Sequence, residues 1–222
     1  MDLEAIIREI TQEVYSRLAG GEAPVASSKA VDKSEVVYAQ MDPHLKLKDV
    51  ENACHHAVEK RYKTVLLPQW FVGYAHDILG NADVKVATVV GLPGGTTSTF
   101  AKYAETKQAV SNGAKVVVIP ANMEMLKRGE FAQDKGDLAD SLVPTRNKAQ
   151  ACTLIEADAL AQDKLVPAAE ACLASGVQCV LLSGATADSV RALRSKNMPV
   201  GVYGGADSFN QLGVVCHVTS RA

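Results

Sequence analysis

Few residues of this chain sit where side-chain chemistry is usually done, at the ends of apolar runs. Glu156 and Asp158 close the run that starts at Ala151, and two carboxylates at that spacing can serve as an acid/base pair. The same carboxylates could instead cap the helix that follows. Gly91-Leu92-Pro93-Gly94-Gly95 breaks the run Val84–Val90, and Thr96, Thr97 and Ser98 then offer N-cap hydroxyls. Metal chemistry needs His, Cys and carboxylate side chains converging on one point. His55 and His56 are adjacent on a helical stretch and point apart, while His44, His76 and His217 stand singly, so no metal site and no cofactor are expected. The five cysteines are odd in number and lack close CxxC spacing, against a disulfide framework or a zinc site. Cys152, Cys179 and Cys216 fall in apolar, strand-like runs and read as buried thiols of a cytoplasmic protein.

The elements that must position these residues alternate regularly from residue 35 onward. Strands are expected at Val36–Gln40, Thr64–Leu67, Val84–Val90, Val116–Ile119, Ala151–Glu156, Cys179–Leu182, Val200–Tyr203 and Val214–Thr219. Helices are expected at Leu47–Lys60, Phe71–Leu79, Thr99–Asn112, Lys164–Ser175 and Ala187–Ser195, with a short one at Asp207–Leu212 and a helical and loop region over Met123–Arg146. Phe100, Tyr103, Ala104 and Val110 recur at helical spacing in the third of these, and Gly113 supplies its stop. Strand, helix, strand in succession makes parallel pairing with right-handed crossovers. An eight-stranded β/α barrel is the natural closure, with a doubly wound open sheet as the alternative. Either way the site belongs at the carboxyl ends of the strands, near Gly91–Thr97 and Pro120–Asn122. The last strand is followed by no helix, so part of the barrel wall is expected to be open or covered by another element or subunit, and a homo-oligomer follows as an expectation.

The beginning of the chain is of another kind. Leu3, Ile6, Ile7, Ile10, Val14 and Leu18 form one stripe of a helix over 1–19, with Asp2, Glu4, Arg8, Glu9, Gln12, Glu13 and Arg17 opposite. Residues 20–34, GGEAPVASSKAVDKS, read as a solvated linker. Such a helix is marginal alone and needs a partner. Its mainly acidic polar face does not suit an anionic membrane, whereas a helix-in-groove or coiled-coil contact with protein fits. The arrangement resembles the encapsulation peptides that send enzymes into bacterial microcompartments, which implies a shell or cargo protein as partner of residues 1–19. The alternative is a helix packed on its own domain. A net charge of -2 without a basic run argues against nucleic acid. No apolar run approaches the ~20 residues of a membrane span, and the amino terminus lacks a signal-peptide core.

Residues 64–83, TVLLPQWFVGYAHDILGNAD, then VKVATVVGLPGG, NGAKVVVIPANMEMLKRGEF, LIEADAL, ASGVQCVLLSGATADSVRALR and VGVYGG resemble the deoxyribose-phosphate aldolase family, in family order over most of 35–219. The resemblance implies a TIM barrel over 35–222. It also implies class I aldolase chemistry, in which 2-deoxyribose 5-phosphate is cleaved to acetaldehyde and glyceraldehyde 3-phosphate through a lysine Schiff base. The family's Schiff-base lysine stands in a Lys-Thr-Ser run on the sixth strand. Here the run is Val180-Leu181-Leu182-Ser183, with Leu181 in the lysine's place. A second family lysine precedes a glycine turn on the seventh strand, where this chain reads Val202-Tyr203-Gly204-Gly205, and Tyr203 is taken as its counterpart. The family's proton-shuttling aspartate on the fourth strand is replaced by Val118. A Schiff base needs a primary amine, and leucine has none. Lys85, Lys115 and Lys148 lie at strand beginnings, the wrong end, and Lys127 reaches inward only if its segment folds over the mouth. The resemblance therefore implies a catalytically degenerate member. It also leaves a possible phosphosugar site: Gly204 and Gly205 match the family's phosphate-binding turn, Thr219 and Ser220 its second phosphate loop, and Asn122, Glu156 and Ser183 its barrel mouth.

Overall fold

The computed structural model describes residues 35–204, 209 and 212–220. The helix and linker expected over 1–34, Gly205 and most of the short helix expected at Asp207–Leu212 lie outside the described residues.

Eight parallel strands close into a barrel in sequence order, β1 (Glu35–Ala39), β2 (Thr64–Leu66), β3 (Lys85–Val89), β4 (Val116–Pro120), β5 (Gln150–Glu156), β6 (Cys179–Ser183), β7 (Val200–Tyr203) and β8 (Cys216–Thr219). The open doubly wound sheet is thereby excluded: β1 pairs with β8, Val37 opposite Val218. The helices are α1 (Leu47–Glu59), α2 (Val72–Leu79), α3 (Thr99–Ser111), α4 (Met123–Arg128), α5 (Phe131–Ser141), α6 (Gln162–Ala174) and α7 (Ala187–Arg194). The region expected as one stretch over Met123–Arg146 divides at Gly129, whose left-handed φ of 80° caps α4. Ser98 caps α3 by accepting from the Ala101 N–H, and Thr186 and Ser189 form a reciprocal capping box on α7. Among the described residues no helix follows β8.

Alternation along the strands sorts side chains into two cores. Tyr38, Val65, Val86, Val117, Ile119, Ile155, Val180, Leu182, Val200 and Val202 point outward and pack under the helices. Ala39, Leu66, Ala87, Val118, Cys179, Leu181 and Val218 fill the barrel itself. Burial of each Val, Leu or Ile contributes about 1.5–3 kcal/mol.

The buried face of α3 is not the expected one. Phe100 is 79% exposed, whereas Lys102, Thr106 and Ala109 face the barrel. Lys102 is fully buried. Its ammonium donates to the Gly95 carbonyl at 2.6 Å and to the Asp137 carboxylate on α5. Thr99 Oγ1 donates to the other Asp137 oxygen at 2.6 Å. An ammonium can be buried when a carboxylate balances it and a carbonyl accepts a further proton, and that need fixed the rotation of the helix. The Lys102 stem lies under Gly91, where a Cβ would meet its Cγ at 2.9 Å. The Gly91 N–H donates to Glu105 of the same helix at 2.7 Å. The loop after β3 is thus tied down from below.

Candidate functional site

A cavity of about 500 Å³ opens at the carboxyl end of the barrel. Met41 after β1, Val89 and Leu92 at β3, Leu154, Glu156 and Asp158 at β5, Ser183 and Gly184 at β6, and Tyr203 at β7 line it. Its two charged residues are both carboxylates. Glu156 and Asp158 do not cap the next helix, since Ala161 holds the N-cap position of α6 with no side-chain cap. Instead Asp158 lies over Gly184, where a Cβ would come 2.2 Å from the carboxylate carbon; Gly184 has φ of 58°. Only a glycine gives that carboxylate its place. Desolvation pushes the Tyr203 phenol above its ordinary pKa, so it stays neutral and can donate.

Of the residues expected here, Glu156, Ser183 and Tyr203 do line one cavity. Asn122 follows β4, but its side-chain oxygen accepts from the Glu124 and Met125 N–H groups at 3.2 and 3.3 Å, so it serves as the N-cap of α4. Gly204 has the left-handed φ of 73° that its turn requires, yet its N–H donates to the Val218 carbonyl at 2.9 Å. An N–H bonded within the sheet is not available to a phosphate, so the expected role of Gly204 does not fit. Ser220 is exposed beyond β8, and Thr219 is half-buried at its end.

One layer beneath the cavity the barrel is apolar. Val118 on β4 and Leu181 on β6 are buried, 4% exposed each, among Val89, Leu154 and the thiols of Cys152, Cys179 and Cys216. The β6–β7 register sets Gly201, not Tyr203, beside Leu181; Tyr203 lies two residues nearer the mouth. Any group that tuned an amine at position 181 through space would stand at 201, and glycine offers none. Leu181 Cδ2 occupies that room, 2.6 Å from where a Cβ of residue 201 would be.

Lys85, Lys115, Lys127 and Lys148 stay away from the mouth. Lys85 begins β3 at the amino end and donates to Gln150 Oε1 at 3.2 Å, while Lys115 and Lys148 are exposed before β4 and β5. Lys127 pairs with Glu124 on its own helix at 3.7 Å and does not fold over the mouth. Among the described residues no group of three His, Cys, Asp or Glu side chains has the geometry to hold a metal ion. His56 packs between Tyr38 and Tyr62, at ring separations of 4.9 and 5.7 Å.

A closed parallel barrel with its cavity at the carboxyl end is common to many enzymes. The sequence comparison decides between them. Residues 26–141 match the family model of the DeoC/LacD family aldolases. The deoxyribose-phosphate aldolase of Carboxydothermus hydrogenoformans is 31% identical over 79% of this chain and 85% of that protein. That of Thermococcus kodakarensis is 31% identical over 77% of this chain and 82% of that protein. This chain belongs to the DeoC/LacD aldolase family. The fold agrees: a putative deoxyribose-phosphate aldolase from Coccidioides immitis superposes with a TM-score of 0.79 at 20% identity, covering 96% of this chain and 93% of that one. The tetrameric deoxyribose phosphate aldolase from Aeropyrum pernix gives 0.74 at 16% identity, covering 85% of this chain and 86% of that one. Among the described residues this DeoC/LacD family barrel carries a polar mouth over a floor of Val118, Leu181 and three cysteines.

Proposed function

We propose that this DeoC/LacD family protein binds a small uncharged carbonyl compound at its barrel mouth without forming an imine, and that residues 1–19 recruit it to a bacterial microcompartment or a similar assembly. The observation that carries the first half is the set of inward residues at one level of the barrel: Val118, Leu181 and Gly201. A carbonyl cannot be captured there by hydrocarbon. The Tyr203 hydroxyl, Ser183 and the two carboxylates remain as hydrogen-bonding groups for a carbonyl or its hydrate. An aldehyde suits this mouth better than a phosphosugar, because Glu156 and Asp158 repel a dianion and the Gly204 N–H is already bonded.

The second half rests on sequence. The apolar stripe of 1–19 and the polar linker of 20–34 have the form of a docking helix on a tether, its partner a shell or cargo protein. Association of copies belongs to the same reading: Trp70 and Phe100, 86% and 79% exposed, are apolar surface that a second copy would cover. Among the described residues no helix is long and apolar enough to cross a membrane.

Two experiments test these halves separately. Purified protein is incubated with 2-deoxyribose 5-phosphate, and separately with acetaldehyde and borohydride. No acetaldehyde release is expected, and no reduced adduct on any residue lining the barrel mouth or floor beyond the general ethylation of exposed lysines. Leu181→Lys places an amine in an apolar site, where desolvation holds it neutral and nucleophilic. It is expected to trap acetaldehyde at position 181. Turnover, or an adduct on a residue lining the barrel in the unaltered protein, overturns the first half. For the second, residues 1–34 fused to a fluorescent protein should form foci in compartment-forming cells; diffuse signal overturns it.

A further inference from the structure

The barrel floor gathers three of the five cysteines, and nothing in the reading of the mouth uses them. Cys152 on β5 and Cys179 on β6 are partners in the strand register and both point inward. Neighbouring strands lie about 4.8 Å apart, inside the roughly 4.4–6.8 Å Cα window of a disulfide. Cys179 belongs to the buried cluster of the floor, and Cys152 and Cys216 both pack against that cluster.

Cys216 comes from β8, which is not a neighbour of β6. Gly201 on the strand between them makes the contact possible: a Cβ there would stand 2.5 Å from the Cys216 sulfur. The three thiols also differ in character. Cys179 is buried, while Cys152 and Cys216 are partly open to solvent. The Cys179 hydrogen bond favours the Cys152 thiolate and lowers its pKa, and Cys179 itself is held well above the ordinary value. One sulfur is thus readied as nucleophile and its neighbour kept as thiol.

We propose that Cys152 and Cys179 are an oxidisable dithiol, a modification site that closes to an intrachain disulfide between β5 and β6 when the protein meets a peroxide-class oxidant. The Cys152 thiolate attacks one peroxide oxygen. The O–O bond breaks, and the departing hydroxide takes a proton to become water, leaving a sulfenic acid. The Cys179 sulfur attacks that sulfur, the S–O bond breaks, and the hydroxyl leaves with the Cys179 proton as a second water. Two thiols lose two electrons and two protons, and one peroxide becomes two waters.

The remaining cysteines are internal controls. Cys54 is fully buried, and desolvation raises its pKa to about 11. Cys172 is fully buried against Asp134, and burial together with that carboxylate pushes it well above the ordinary value. Neither forms the thiolate that peroxide needs.

The test uses the full chain, reduced and desalted, with stoichiometric hydrogen peroxide. Alkylation in denaturant then counts the thiols, and mass spectrometry of a digest finds the link. Alkylatable cysteines should fall from five to three, with one peptide pair joined through Cys152 and Cys179. Cys172 shares its tryptic peptide with Cys179, so fragment ions must separate the two. Cys179→Ser should abolish the link and accumulate sulfenic or sulfinic acid at Cys152, while Cys216→Ser should leave the link in place. Five alkylated cysteines after treatment, a link between two chains, or a link through Cys54, Cys172 or Cys216 overturns the proposal. Should a serine variant fail to fold, the mapping on unaltered protein decides alone.

Discussion

The molecule buries an amine in one place and only hydrocarbon and thiols in another. In the shell between strands and helices, Lys102 is fully enclosed, with the Gly95 carbonyl and Asp137 accepting from the ammonium and Thr99 donating to that same carboxylate. In the barrel interior, Leu181 is just as well enclosed, and its neighbours are Val118, Leu154 and three sulfurs. Burial itself does not forbid a lysine. What differs is the acceptor set, since a buried ammonium without partners loses its proton or its place. The shell therefore holds a permanent ion pair of structural use. An amine put into the interior would be neutral and reactive, which is the state a Schiff base requires.

The contrast is broken most severely by removing the shell amine. Lys102→Met takes the cation from the Asp137 carboxylate, leaving it only the Thr99 hydroxyl, and takes the donor from the buried Gly95 carbonyl; breaking a buried pair in that way costs about 3–5 kcal/mol. Urea denaturation should show the free energy of unfolding falling by that amount. Replacing both partners, as Lys102→Met with Asp137→Leu, should recover most of the loss. If the single variant is as stable as the parent, the pair does not anchor the loop after β3.

Two glycines sharpen the same contrast with a smaller effect. A Cβ at Gly95 would stand 2.4 Å from the carbonyl oxygens of Pro120 and Ala121, and φ is 68°. Backbone does not yield, so Gly95→Ala should cost about 2–4 kcal/mol from overpacking and strain together. At Gly201 the nearest obstacles are the Cys216 sulfur and a Leu181 methyl, both ends of rotatable side chains, the Cys216 carbonyl oxygen stands farther off at 3.1 Å, and φ is unremarkable. Gly201→Ala should cost only about 1–2 kcal/mol. Thermal unfolding of the two variants side by side reads the difference. Equal losses would mean that the interior is as rigid as the shell.

The fold was legible because β-branched runs and breakers alternate along the whole barrel, and the closing pair needs no signal beyond the count of strands. Side-chain placement was legible only where hydrophobicity decides it. In α3 the pattern favoured Phe100 and Tyr103 as the buried face, yet Lys102 took it, because its partners at Gly95 and Asp137 lie on other elements. The thiol cluster was hidden for a like reason: its members sit on three strands, and only register and a bare position at Gly201 bring them together. Register also moved the neighbour of Leu181 from Tyr203 to Gly201. Glu156, Ser183 and Tyr203 line one cavity because the carboxyl ends of parallel strands converge whatever the details.

The smallest expected effect concerns the carboxylate that stands between the two regions. Asp134 on α5 is fully buried; its Oδ1 accepts from the Asn122 N–H at 2.7 Å and its Oδ2 from the Cys172 thiol at 3.5 Å. Desolvation outweighs these bonds, and its pKa is raised from 3.8. Unlike Asp137 it has no cation in contact among the described residues, so it is the shell's nearest approach to the unpartnered situation of the interior. A raised carboxyl pKa means that the folded protein binds its proton more tightly than the unfolded chain does. Stability from this group is therefore greatest below 3.8 and falls as pH rises through the folded value, then levels off. Asp134→Asn keeps an oxygen for the Asn122 N–H and removes the charge. The variant should lose this pH-dependent decline and be at least as stable as the parent at neutral pH, in denaturant titrations across the acid range. A variant less stable at neutral pH would mean that the charge itself holds the Asn122 turn, and that Asp134 belongs with Asp137 as a working partner in the shell.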